Sequence, residues 1–167
     1  MITLVLGGTR SGKSQVAEAL VAAVPGPVTY VATGRATDPA MAARIAAHRR
    51  RRPAAWATVE AGADLPSVVR DLEGTVLVDS LGTWVAAHAD LAPDTDALCS
   101  ALRARAAGDT VVVSEEVGLG VHPPTEVGRR FTDAVGDLNR KVADDADRVL
   151  LVIAGRVLPL DRVAGPA

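Results

Sequence analysis

The sequence predicts a doubly wound α/β domain with a mainly parallel sheet flanked by helices, and three observations carry that reading. Short, continuous apolar runs alternate with longer stretches of helical periodicity along the chain. Of 167 residues 49% are apolar, yet the aromatic complement is two Trp, one Tyr and one Phe. A core of that kind is built from Val, Leu, Ile and Ala, which suits strands buried on both faces beneath Ala-rich helices. The length is that of a single domain, 1–167.

The elements follow in order. Ile2 to Leu6, "ITLVL", reads as a buried strand that Gly7 and Gly8 break. A helix is expected from Lys13 to about Ala23, ended by "PGP" at 25–27. "VTYVA" at 28–32 is the second strand. Asp38 is placed as an N-cap with Pro39 at the first helical position, and that helix runs through "AMAARIAAHRRRR" to Pro53. A weak strand is expected at Ala57 to Glu60 and a short helix around Ser67 to Leu72. "TVLVD" at 75–79 is a strong strand ending in an acid, and "SLGTWVAAH" after it is helical. "DALCSALRARAA" is a helix, "TVVVS" at 110–114 a strand, and "EEVGLGVHPP" a loop rich in turn signals. Thr125 to Ala146 is a long helix with Val127, Phe131, Val135, Leu138 and Val142 on one face. "RVLLVIAG" at 148–155 is another buried strand, and "RVLPL" a short last one.

Charge and composition exclude several functions. A formal net charge of −2 argues against a nucleic-acid-binding domain, so the run "HRRRRP" at 48–53 is a local feature. The sole cysteine, Cys99, excludes an internal disulfide and fits a cytoplasmic protein. No apolar run approaches the ~20 residues of a membrane span, and "MITLVLGG" has no signal-peptide pattern.

Gly7-Gly8-Thr9-Arg10-Ser11-Gly12-Lys13-Ser14 matches G-x-x-x-x-G-K-[ST], between a strand and a helix as that motif requires. Glycines there let backbone N–H groups turn inward onto phosphate oxygens, and the helix N-terminus adds its positive end. Lys13 is expected to reach the β- and γ-phosphates and Ser14 to ligate Mg²⁺. A partner acid is expected at the end of a neighbouring strand, and Asp79 fills that role, or else caps the helix after it. Arg10 is read as a further phosphate contact or a solvated side chain. The class is thus a P-loop NTPase-type (RecA-like) fold.

On the helix from Pro39, Met41, Ile45, His48 and Arg52 share one face, with Arg44, Arg49 and Arg51 flanking it. Clustered guanidinium groups repel one another and an anion relieves them; Arg suits phosphate through its planar fork. Part of the run also complements the helix dipole. From spacing alone His48 is a half-buried structural histidine, a general base, or a nucleophile on phosphorus. Neighbouring arginines oppose its protonation, which favours a neutral imidazole.

Together "GGTRSGKS", "YVAT", "MAARIAAHRRRRP", "VLVDSLGTW" and "EEVGLGVHP" with the helix and strand that follow resemble the adenosylcobinamide kinase/adenosylcobinamide-phosphate guanylyltransferase family of cobalamin biosynthesis, from Ile2 to about Leu160. The resemblance implies a bifunctional transferase. An NTP, ATP or GTP, phosphorylates the aminopropanol hydroxyl of adenosylcobinamide; GTP then donates GMP to that phosphate through a GMP–histidine intermediate, at the position of His48. It implies nucleotide contacts at Gly7, Gly8, Thr9, Arg10, Ser11, Gly12, Lys13 and Ser14, at Ala32, Thr33 and Gly34, at Arg49, Arg50, Arg51 and Arg52, at Glu60, and near Leu81. Catalysis falls to His48 and Lys13 and metal binding to Ser14 and Asp79; Glu115 and Glu116 are read as metal ligands, as activators of the substrate hydroxyl or as plain loop charges, with Glu116 favoured through the resemblance. A homo-oligomer, a trimer by resemblance, is expected, and Trp84 and "VGLGVHPP" are candidates for the corrinoid wall. Two other readings fit the phosphate loop alone: a small-molecule kinase without nucleotidyl transfer, and a GTP-binding switch, which the absence of N-K-x-D weakens.

Overall fold

The computed structural model describes residues 1–34, 39–105 and 107–162; within the second helix the side chains of Ala40, Met41, Arg44 and His48 lie outside the described set, as does the Asp38 expected to cap that helix. The chain order is β1 (Ile2–Gly7), α1 (Lys13–Ala22), β2 (Val28–Ala32), α2 (Pro39–Arg51), β3 (Ala57–Glu60), α3 (Leu65–Asp71), β4 (Thr75–Asp79), α4 (Leu81–Ala86), α5 (Thr95–Ala104), β5 (Thr110–Glu115), α6 (Glu126–Asp145), β6 (Arg148–Ile153) and β7 (Arg156–Pro159).

The strands form one seven-stranded sheet in the order β3-β2-β4-β5-β1-β6-β7. Every pairing is parallel except β6 with β7. The P-loop-type, mainly parallel sheet read from the sequence is therefore what the chain builds. Alternation along β1 divides the core: Val5 packs with Ala17 and Val21 of α1, while Leu4 and Leu6 pack in the larger cluster with Leu65, Trp84, Leu98, Leu138 and Val142. Aliphatic strands covered on both faces need little aromatic bulk.

Two boundaries differ from expectation in ways that matter. β5 continues through Glu115, one residue beyond the predicted strand. The apolar run at 148–155 is not one strand: Ala154 (φ 50°) and Gly155 (φ 72°) form a two-residue turn that sends β7 back along β6. Positive φ at both turn positions matches the right-handed twist of a hairpin. In α6, Val135, Leu138 and Val142 are fully buried and Phe131 packs at their edge, but Val127 in the first turn is 66% exposed.

Candidate active site

The loop between β1 and α1 is shaped by its glycines. A Cβ on Gly7 would lie 2.5 Å from Ser11 Oγ and 2.8 Å from the Val152 carbonyl, so only glycine fits. Gly12 takes φ 94°, a left-handed conformation that costs glycine little. Ser11 N–H donates to Gly8 O at 3.2 Å, closing the loop, and Gly155 N–H donates to Ser11 O at 2.7 Å, bracing it from the β6–β7 turn. Lys13, only 4% exposed, donates from Nζ to Gly8 O at 3.4 Å and stands 3.7 Å from Glu115 Oε1.

Two acids stand at this loop with separate partners. Asp79 does not end a strand adjacent to β1, as expected, because β5 is inserted between β1 and β4. It nevertheless reaches the loop: Ser14 Oγ donates to Asp79 Oδ1 at 3.4 Å, and Tyr30 Oη donates to Asp79 Oδ2 at 3.1 Å. Burial, reinforced by the Asp79 carboxylate, pushes the Tyr30 phenol far above the usual tyrosine range, so it stays a donor. Asp79 is not the helix cap; Ser80 stands at that position, its N–H donated to Thr83 Oγ1 at 3.3 Å. Ser14 Oγ and Asp79 Oδ1, 3.4 Å apart, are hard oxygens of the kind that Mg²⁺ takes. Among the described residues there is no group of three or more His, Cys, Asp or Glu arranged to hold a metal ion.

Glu115 is the second acid. Its carboxylate accepts from Ser80 Oγ at 2.9 and 3.1 Å and from Gly82 N–H at 2.9 Å. Glu116, the acid favoured from sequence, instead turns onto its own loop and accepts from the N–H groups of Gly118 (2.6 Å) and Leu119 (3.1 Å). Neighbouring residues at a strand end point to opposite sides, which separates the two.

The other expected contacts lie at several places around the loop. The Thr33 hydroxyl is 1% exposed and engaged by the turn after β4: it donates to Ser80 O at 2.6 Å and accepts from Ser80 N–H at 2.9 Å. Ala32 and Gly34 are half-buried beside it. Leu81 is fully buried in the core, so a ligand meets only its backbone; Trp84 is 1% exposed with Nε1 donating to Ala63 O at 3.0 Å, and so is no wall for a corrinoid. Glu60 is exposed at the end of edge strand β3. Gly8, Thr9 and Arg10 are exposed on the loop.

The arginines divide. Arg49 and Arg50 are exposed, whereas Arg51 forms a two-pronged pair with Glu18 of α1 at 3.0 and 3.2 Å. The Arg52 guanidinium lies 3.5 Å over the Tyr30 ring. The residue that follows α2 is thereby stacked on the residue that donates to Asp79. His48 belongs to α2, one turn before Arg52; its side chain is outside the described set. Tyr30 and Ser80 are site-forming residues that the sequence does not single out, and Glu115, ranked below Glu116 there, is the acid that faces Lys13. The available signal was a lone tyrosine in a buried strand, whose hydroxyl needs a partner there.

A family model described as cobinamide kinase/cobinamide phosphate guanyltransferase matches residues 3–160. The chain is 39% identical to the bifunctional adenosylcobalamin biosynthesis protein CobP of Pseudomonas aeruginosa, over 96% of this chain and 97% of that one. It is 35% identical to the bifunctional adenosylcobalamin biosynthesis protein CobU of Salmonella typhimurium, over 93% and 97%. Among solved structures it resembles a prototypical ATPase of the type III secretion system of pathogenic bacteria, with a TM-score of 0.53 and 12% identity over 90% of this chain and 50% of that one, a likeness of fold.

Proposed function

The chain belongs to the cobinamide kinase/cobinamide phosphate guanyltransferase family and is a transferase of cobalamin biosynthesis; we propose that it runs both reactions of that family at one nucleotide cradle, within a single domain, 1–167. In the first, the γ-phosphoryl group of ATP or GTP passes to the aminopropanol hydroxyl of adenosylcobinamide. In the second, a His48 nitrogen attacks the α-phosphorus of GTP, the bond to the bridging oxygen breaks, and pyrophosphate leaves. A phosphate oxygen of adenosylcobinamide phosphate then displaces the imidazole and takes the GMP group. Splitting the transfer in this way replaces one difficult step with two easier ones.

The loop from Gly7 to Ser14 holds the phosphates, and Lys13 offsets charge on the leaving pyrophosphate or nucleoside diphosphate. Ser14 and Asp79 would hold Mg²⁺, which supplies charge neutralisation at the phosphates. The exposed Arg49 and Arg50 are free of the Arg51–Glu18 arrangement and suit a polyphosphate. The observation that carries the guanylyl half is the stacking of Arg52 on Tyr30, because it holds the His48 helix against the residue that hydrogen-bonds Asp79. The loop after β5 exposes Leu119 (78%) and Val121 (97%), which supports it as an apolar corrinoid contact. Exposed Ile153, Val157, Leu158 and Leu160 on the β6–β7 hairpin support a homo-oligomer, checked by light scattering of the purified chain. A cytoplasmic site of action accords with the nucleotide substrates and the single, buried Cys99. No helix among the described residues is long and apolar enough to cross a membrane.

The test is covalent labelling with GTP carrying the label at its α-phosphate, in the presence of Mg²⁺. The protein takes up an acid-labile, base-stable label, as a phosphoramidate requires, and His48→Ala takes up none. Equal labelling of that variant removes the nucleophile.

A further inference from the structure

We infer that Glu115 accepts the proton of the attacking substrate hydroxyl in the phosphoryl-transfer step. The inference rests on the kinase half of the function proposed above. A P-loop lysine reaches the β- and γ-phosphates, so a carboxylate oxygen 3.7 Å from Lys13 Nζ stands beside the phosphoryl group that moves. Glu115 ends β5, the strand lying between the P-loop strand β1 and the Asp79 strand β4. Its side chain is 25% exposed, enough for a substrate to meet it.

The two acids have different partners and so different work. Asp79 faces Ser14 and Tyr30, the metal end of the loop. Glu115 faces Lys13 and is held from behind by Ser80 Oγ and Gly82 N–H. Those two donors do not depend on Lys13. When nucleotide phosphates draw the ammonium away, the carboxylate keeps its place and one negative neighbour of the incoming hydroxyl is already oriented. Gly82 is part of the device: its missing Cβ leaves the space that the Glu115 carboxylate fills.

The step balances without another reagent. The substrate O–H bond breaks and its proton passes to a Glu115 oxygen. The new O–P bond forms as the bond from the γ-phosphorus to the bridging oxygen breaks, and the nucleoside diphosphate leaves. Neither nucleophile of the guanylyl half, a neutral imidazole and a phosphate oxygen, has a hydroxyl proton to lose. Glu115 therefore serves one activity of the two.

The experiment compares those activities in the intact chain with Mg²⁺: phosphorylation of adenosylcobinamide from γ-labelled GTP, and self-guanylylation from α-labelled GTP without corrinoid. In Glu115→Gln the ratio of the first rate to the second falls by at least about 100-fold, the low end for a lost proton acceptor, through kcat rather than KM. Glu115→Asp, which keeps a proton acceptor, recovers part of the loss. The assignment is overturned if both rates fall together, as loss of Lys13 positioning alone would give. It is equally overturned if phosphorylation stays within about threefold of wild type. A wild-type protein that guanylylates itself but phosphorylates nothing refutes the kinase reading rather than the residue. Should Glu115→Gln fail to fold, Ser80→Ala, which loosens the carboxylate without changing its charge, decides by the same ratio.

Discussion

Replacing Gly82 with Ala tests the geometry of the second acid directly. The added methyl group would lie 2.2 Å from Glu115 Oε2 and 2.8 Å from its Cδ. Ordinary contact begins at 3.4 Å, so the carboxylate must retreat by about 1.2 Å, the difference between 3.4 and 2.2. The obstacle is the end of a flexible side chain and Gly82 lies within α4, so the backbone accepts alanine. The retreat breaks the bond from Gly82 N–H to Oε2, now 2.9 Å, and loosens those from Ser80. A bond to a charged acceptor contributes about 1.5–3 kcal/mol, while alanine is favoured over glycine in a helix by about 1 kcal/mol. The net cost is about 1 kcal/mol, which lowers the melting temperature by roughly 2–4 °C for a chain of this length. Activity suffers far more, because a misplacement of about 1 Å at a reacting group costs on the order of 100-fold. Calorimetry and corrinoid phosphorylation from γ-labelled GTP measure the two quantities. A folded Gly82→Ala protein that phosphorylates at the wild-type rate would refute the claim that the carboxylate must sit where it does.

Three further outcomes are expected. Lys13→Ala lowers phosphoryl transfer by about 10²–10³-fold, since one preorganised donor at a developing charge is worth that much; undiminished turnover contradicts the phosphate-loop assignment. Leu138→Ala, at a fully buried position of α6, costs about 2–5 kcal/mol in urea unfolding, and a cost under about 1 kcal/mol means the site is not packed as described. Tyr30 is the only tyrosine, so phenolate absorbance reports it alone. Because burial raises its folded pKa, the unfolded chain ionises first; the contribution to stability is complete below about pH 10 and is lost as pH rises beyond it. Native protein shows no phenolate at that pH and urea-unfolded protein does; a native titration at the free-tyrosine value contradicts the buried bond to Asp79.

The architecture was legible because its signals are local and repeated. Val76 to Val78 or Val111 to Val113 are continuous apolar triplets, and strands buried on both faces have that pattern. The phosphate loop was legible because its geometry demands glycine and lysine at fixed offsets. What escaped depended on strand order and on single-residue phase. Nothing in "TVLVD" says that another strand separates it from β1. Whether Glu115 or Glu116 enters the site turns on where β5 stops, since one residue reverses the side. The β6–β7 turn was hidden because Ala154-Gly155 extends an apolar run, and only the positive φ at both residues shows the reversal. Arg51 and Arg52 read as part of one anion-binding cluster, yet one pairs with Glu18 and the other covers Tyr30, contacts made with elements distant along the chain.

The hydrogen bond from Gly155 to Ser11 joins the last hairpin to the first loop. β1 itself lies between β5 and β6, the late-made strands. A chain still on the ribosome therefore holds the whole phosphate motif but lacks the walls that shape it. A chain in which β6 and β7 have not yet formed lacks that brace on the loop.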